Sequence, residues 1–138
     1  SKIYPSEIRI IINKTDFIAI TFIEGKKFLV GENGNFILEG NHIYKKELPV
    51  VYGKYEIYEL MELVDLLKKI NFEFKDIKEL YFFETRRWDL LTKNNILIKL
   101  PSSNLENSLN IAQELLNKKK GKKIIDLRVS NQVIITNE

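Results

Sequence analysis

The chain has no cysteine, a single histidine and a single tryptophan among its 138 residues, and no long apolar run. Without thiols there is no disulfide framework, thiolate metal site or cysteine nucleophile, and cysteine usage leaves the redox compartment open. The one histidine, His42, has no cysteine or second histidine to complete a metal set, and it reads as an ordinary surface residue. No nucleophile stands beside a plausible base, and no cofactor fingerprint follows a strand, so neither an enzyme nor a cofactor is expected. Gly31 and Gly34 precede strand residues instead of a helix N-terminus, which argues against a phosphate loop. No stretch approaches the roughly 18 apolar residues that cross a bilayer, and no basic-then-apolar leader opens the chain.

What is present is ordinary for a folded domain: 44% hydrophobic and 30% charged residues, with a net charge of +3. Such a chain can bury a core. Its charge is uneven, with lysines crowded at Lys118, Lys119, Lys120, Lys122 and Lys123 and an acidic stretch from Tyr55 to Leu67. Lysines at the carbonyl end of a helix complement its dipole. The alternative use of that cluster is binding to nucleic acid or an anionic surface; no RNA-binding signature, zinc spacing or helix-turn-helix supports it, and no nucleic-acid partner is expected.

Glu7 to Ile12 and Phe17 to Ile23 read as a hairpin around Asn13-Lys14-Thr15-Asp16, and Lys27 to Val30 with Asn35 to Leu38 as a second around Asn33-Gly34. Glu39 to Tyr52 reads as a loose surface connection. From Tyr55 to Ile70, apolar residues at Ile57, Leu60, Met61, Val64 and Leu67 recur at helical spacing. The glutamates Glu56, Glu59 and Glu62 are assigned to its solvated face. Phe72 and Phe74 read as extended, followed by strands over Ile77 to Phe83, Trp88 to Thr92 and Ile96 to Leu100. Ser103 to Asn117 returns to helical period, with Ser103 and Glu106 spaced as a capping box and Gly121 as its stop. Lys123 to Val129 and Val133 to Thr136 close the chain as strands. The order predicts an α+β fold: a mixed, largely antiparallel sheet with two main helices packed on one face.

Three short patterns then stand out in order. Leu48-Pro49-Val50-Val51-Tyr52-Gly53 precedes the acidic helix, Arg86-Arg87-Trp88 with Leu90 opens a strand, and Asp126-Leu127-Arg128 lies near the C-terminus. Together they resemble the Leu-Pro-x-x-x-Gly, Arg-Arg-x-Trp-x-Leu and Asp-Leu-Arg-Tyr patterns of the extracytoplasmic β-domain of the FtsQ/DivIB cell-division family. Two departures are visible: one residue is missing between Arg87 and Trp88, and Val129 and Gln132 replace the family's tyrosine and turn glycine. Tyr4-Pro5-Ser6, the strand from Glu7 to Ile12 and Ile18-Ala19-Ile20 resemble the end of the POTRA module before that domain. The resemblance thus implies a truncated POTRA hairpin over 1–24 and a β-domain over 25–138. It also implies a piece of a longer, single-pass inner-membrane protein, consistent with the start at Ser1.

The resemblance implies a non-enzymatic protein on the periplasmic side of the inner membrane, at the division septum, binding FtsB and through it FtsL. An extended partner segment would pair with an exposed sheet edge. Val133 to Thr136, uncharged and β-branched, suits that edge, and equally suits an interior strand. The implied contact region is Arg128, Val129, Ser130, Asn131, Gln132, Val133, Ile134 and Ile135, with Arg86 or Arg87 pairing with an acidic group of the partner. Arg128 alternatively closes an internal salt bridge. Trp88 is expected in the core.

Overall fold

The computed structural model describes residues 16–39, 47–118, 122–129 and 132–137. The expected strand Glu7 to Ile12, the residues Tyr4-Pro5-Ser6, His42, Lys119, Lys120, Gly121, Ser130 and Asn131 lie outside the described residues. The strands are β1 (Phe17–Ile23), β2 (Lys26–Gly31), β3 (Phe36–Leu38), β4 (Val50–Tyr52), β5 (Ile77–Phe82), β6 (Trp88–Thr92), β7 (Leu97–Lys99), β8 (Lys122–Asp126) and β9 (Ile134–Asn137). They form one sheet in the order β3-β2-β1-β4-β5-β6-β7-β8-β9. The neighbours β1–β4, β4–β5 and β7–β8 run parallel and the others antiparallel, so the sheet is mixed and mostly antiparallel, as expected.

Parallel neighbours cannot be joined by a tight turn and need a crossover. Helix α1 (Ile57–Lys69) supplies it between β4 and β5, and α2 (Leu105–Lys118) between β7 and β8. Both land on the same face. Across the sheet, register aligns Thr21, Val51, Leu80, Leu90, Ile98 and Ile125 in one row, and these residues are buried. Leu60, Leu63, Val64 and Leu67 of α1 and Leu109 and Ala112 of α2 join the same core cluster. Trp88 is buried in it, as its pattern predicts.

Three local expectations are corrected. The segment from Glu39 to Tyr52, which the sequence predicts as a loose surface connection, contains β4, which is paired on both sides. Its β-branched pair Val50-Val51 is short, and parallel partners distant in sequence, not local periodicity, make it a strand. Phe74–Asp76 forms a 3₁₀ turn, not an extended segment, while Phe72 turns into the core. Helix α2 starts after Asn104, whose φ is 57°, so Ser103 stands too early to form the capping box. Glu106 instead accepts a hydrogen bond from Lys69 Nζ at 3.0 Å, tying α2 to the end of α1.

The first pattern also gains a physical reason. Pro49 offers its carbonyl to the Ile20 N–H at 2.9 Å, and Gly53, at φ +109°, lies so close to β5 that a Cβ there would sit 2.3 Å from the Phe82 carbonyl oxygen. Beyond it the Tyr55 hydroxyl donates to Thr21 Oγ1 at 2.7 Å, and the Tyr55 ring meets Trp88, which meets Phe82. The first and second patterns are thereby packed together.

Candidate functional site

Among the described residues the sheet ends in two outer strands, β3 and β9. β9 pairs with β8 through Ile124↔Thr136, Ile125↔Ile135 and Asp126↔Ile134; among the described residues nothing pairs with its other edge. Val133, Ile134 and Ile135 are 43%, 49% and 38% exposed, and Val129 stands nearby at 52%. Ile135 extends the buried row that runs from Thr21 to Ile125, yet lies outside the core cluster. An uncharged, exposed, β-branched edge lacks the lysine or proline that usually blunts such a strand. Beside it a groove is lined by Ser103, Asn107, Ile111, Leu127, Val129 and Val133.

The three arginines are separated by the fold. Arg86, at φ 62° in the β5–β6 turn, sends its guanidinium to the helix side, where Nε and Nη2 donate to the Glu59 carboxylate, the former at 3.0 Å. Glu59 in turn accepts the Glu56 backbone N–H at 2.9 Å and so caps α1. Arg87 turns to the opposite face, lies over the Phe83 ring with its Cζ 4.5 Å from the centroid, and donates to Asp89 Oδ1 at 2.6 Å. Arg128 donates from Nε and Nη2 to Asp126 at 2.9 and 2.7 Å, and from its backbone N–H at 3.1 Å. Internal pairing, one of the two readings open for Arg128, is therefore present in the free chain. With five donors and about half of its side chain exposed, Arg128 keeps hydrogen-bonding capacity for a second carboxylate.

Of the carboxylates that hold these arginines, the sequence marks Asp126 only as a member of the third pattern, assigns Glu59 to a solvated helix face and does not single out Asp89. Asp89 and Asp126 belong to a row on the face away from the helices, where register aligns Tyr81, Asp89, Lys99, Asp126 and Ile134. At its other end the Tyr81 hydroxyl donates to Glu79, and that carboxylate pushes the phenol up to about 12. Strand alternation marks each acid as facing one side, but only cross-strand register brings them into line. Glu59 is instead paired with a residue distant in sequence, which helical periodicity does not reveal.

Two results are expected from this geometry. The Arg87 and Asp89 side chains are only 16% and 8% exposed, so Arg87→Met leaves an unpaired buried carboxylate and should destabilise the fold by about 3 kcal/mol. Urea denaturation checks it, and Arg87→Met with Asp89→Leu should recover part of the loss. The Asp126 carboxyl lies below its ordinary value of 3.8, chiefly because Arg128 donates to it. Its folded-state affinity for the proton is thus lower than in the unfolded chain, so its stabilisation is present above about pH 4 and lost as pH falls through the depressed value. Asp126→Asn should therefore flatten the acid limb of a stability-versus-pH curve.

The family described as cell division protein FtsQ/DivIB, C-terminal, matches residues 19–128. The chain is 33% identical over 141 residues to the cell division protein FtsQ of Rickettsia bellii (strain RML369-C), and 32% identical over 147 residues to that of Rickettsia conorii (strain ATCC VR-613 / Malish 7). Each alignment covers 98% of this chain and 52% of the relative; the chain spans about half the length of the curated relatives it matches. In structure it is similar to the major extracytoplasmic domain of the trans isomer of the cell division protein DivIB from Geobacillus stearothermophilus, with a TM-score of 0.51 and 17% identity over 78% of this chain and 98% of that one. This likeness is one of fold.

Proposed function

Because the chain belongs to the FtsQ/DivIB family of cell-division proteins, we propose that it acts as a non-enzymatic assembly module of the divisome that binds FtsB, and through it FtsL, by strand addition at β9. The observation that carries this reading is the position of β9: last in the sheet, exposed, uncharged and unpaired on its outer side among the described residues. A partner strand laid there gains backbone hydrogen bonds worth about 0.5 to 1.5 kcal/mol each net. Affinity beyond that comes from anchors.

The contact region proposed is Arg128 through Ile135. Side chains of an added strand alternate between the two faces. Those on the helix side meet the groove beside Val133 and Ile111, and those on the other side meet Arg128. Arg86 and Arg87 lie at the β5–β6 turn and are engaged with Glu59 and Asp89, so a direct ion pair with the partner requires Arg86, the more exposed of the two, to share its donors. The protein is placed, on this reading, on the periplasmic side of the inner membrane at the septum. No helix among the described residues is long and apolar enough to cross a membrane, and the anchor is assigned to sequence upstream.

A pull-down of FtsB and FtsL with this chain, repeated after deleting 131–138, tests the proposal. Retention by the intact chain and loss after deletion are expected; equal retention by both would refute the site.

A further inference from the structure

Resting on the strand-addition reading, we infer that Asp126 is the positioning residue of the β9 edge: it clasps Arg128 and so fixes both that guanidinium and the backbone turn at 126–128 with which the chain leaves β8. Asp126 is the last residue of β8 and stands directly opposite Ile134, the first residue of β9. Its carboxylate takes three hydrogen bonds from Arg128, two from the side chain and one from the backbone N–H. The backbone bond folds the chain back two residues after the acid, a local turn that aspartate forms readily. Immediately beyond, the Gln132 N–H donates to the Val129 carbonyl at 3.2 Å, and β9 follows.

Further charges stand in register with the clasp inside the sheet. Lys99 lies beside Asp126 in register and lowers its proton affinity through space, and Asp89, beside Lys99 in register, favours the charged form of Arg128. Asp89 is tied to Arg87, the least exposed arginine of the three. Charges therefore alternate as Arg87, Asp89, Lys99, Asp126 and Arg128 from the well-packed second pattern to the sheet rim. The clasp also gives the Asp-Leu-Arg pattern a division of labour: Leu127 enters the core, Arg128 faces outward, and Asp126 joins them.

The test has two arms on the same proteins. In the free chain, amide hydrogen exchange over 132–137 should speed up at least about tenfold in Asp126→Asn, while exchange in β5 and β6 is unchanged; Asp126→Glu, which keeps the carboxylate, should restore much of the protection. In binding to a peptide of the FtsB periplasmic segment, Asp126→Asn and Arg128→Gln should each weaken affinity roughly tenfold, and the double variant should fall well short of the product of the two losses, since Asp126 acts largely through the Arg128 side chain. Unchanged exchange in Asp126→Asn, or losses that simply multiply in the double variant, would overturn the assignment. Failure of the unsubstituted chain to bind the peptide would instead refute strand addition, and the exchange arm would still decide whether Asp126 positions the edge.

Discussion

Proline placed in turn at Ile134 and Ile135 is expected to cost at least about 100-fold in affinity for an FtsB strand at one position while leaving the melting temperature nearly unchanged there. In an antiparallel ladder the N–H groups of successive residues point alternately toward the neighbour and away from it. One of the two positions therefore donates to β8, and the other presents its N–H to the open side. Proline at the outward position removes a donor and intrudes where the partner backbone must lie, an effect of about 3 kcal/mol, which is roughly two decades in Kd. Proline at the inward position should loosen β9 itself, and its loss of affinity should be accompanied by faster proteolysis of the C-terminal segment. Titration calorimetry beside thermal melts separates the two. Full affinity in both variants would exclude main-chain pairing at β9. Arg128→Glu should also abolish binding, because it sets a like charge against Asp126 and repels an acidic partner group.

Gly53→Ala is expected to destabilise the fold by about 3 kcal/mol, lowering the melting temperature by on the order of 10 °C. Two effects act together. The residue holds φ +109°, a conformation that L side chains rarely adopt, and an added Cβ would meet the Phe82 carbonyl oxygen at 2.3 Å and its carbon at 3.1 Å. Phe82 cannot retreat freely, since it pairs with Trp88 in the sheet and its ring packs on the Trp88 indole. The strain should therefore reach the Tyr55 and Trp88 contacts, and near-ultraviolet circular dichroism of the single tryptophan should change with it. A loss below about 1 kcal/mol would mean that the β4–α1 connection relaxes without cost.

The two helices were legible because their apolar residues repeat at a spacing fixed by the chain itself, and β6, Trp88–Thr92, was legible from its own run of residues. β4 was not. Three residues carry no period worth reading, and what makes Val50–Tyr52 a strand is pairing with β1 and β5, whose residues lie about 30 positions away on either side. Arg86 and Arg87 show the same limit: adjacent in sequence, they turn to opposite faces and meet Glu59 and Asp89, a division that follows from strand alternation once the turn is in place. The family resemblance marked the three patterns as related. It did not say that the glycine of the first leaves space for Phe82, or that the aspartate of the last holds its arginine.

By itself the sequence determined the fold class, both helices, the absence of any thiol chemistry and the membership that its three ordered patterns express, since each depends on composition, local spacing or residue order. The tertiary structure alone decided that β9 is an outer strand among the described residues and that five alternating charges stand in line toward it. Edge position and cross-strand register are relations between segments far apart along the chain, and they come into being only when the parallel crossovers of α1 and α2 set the order of the strands.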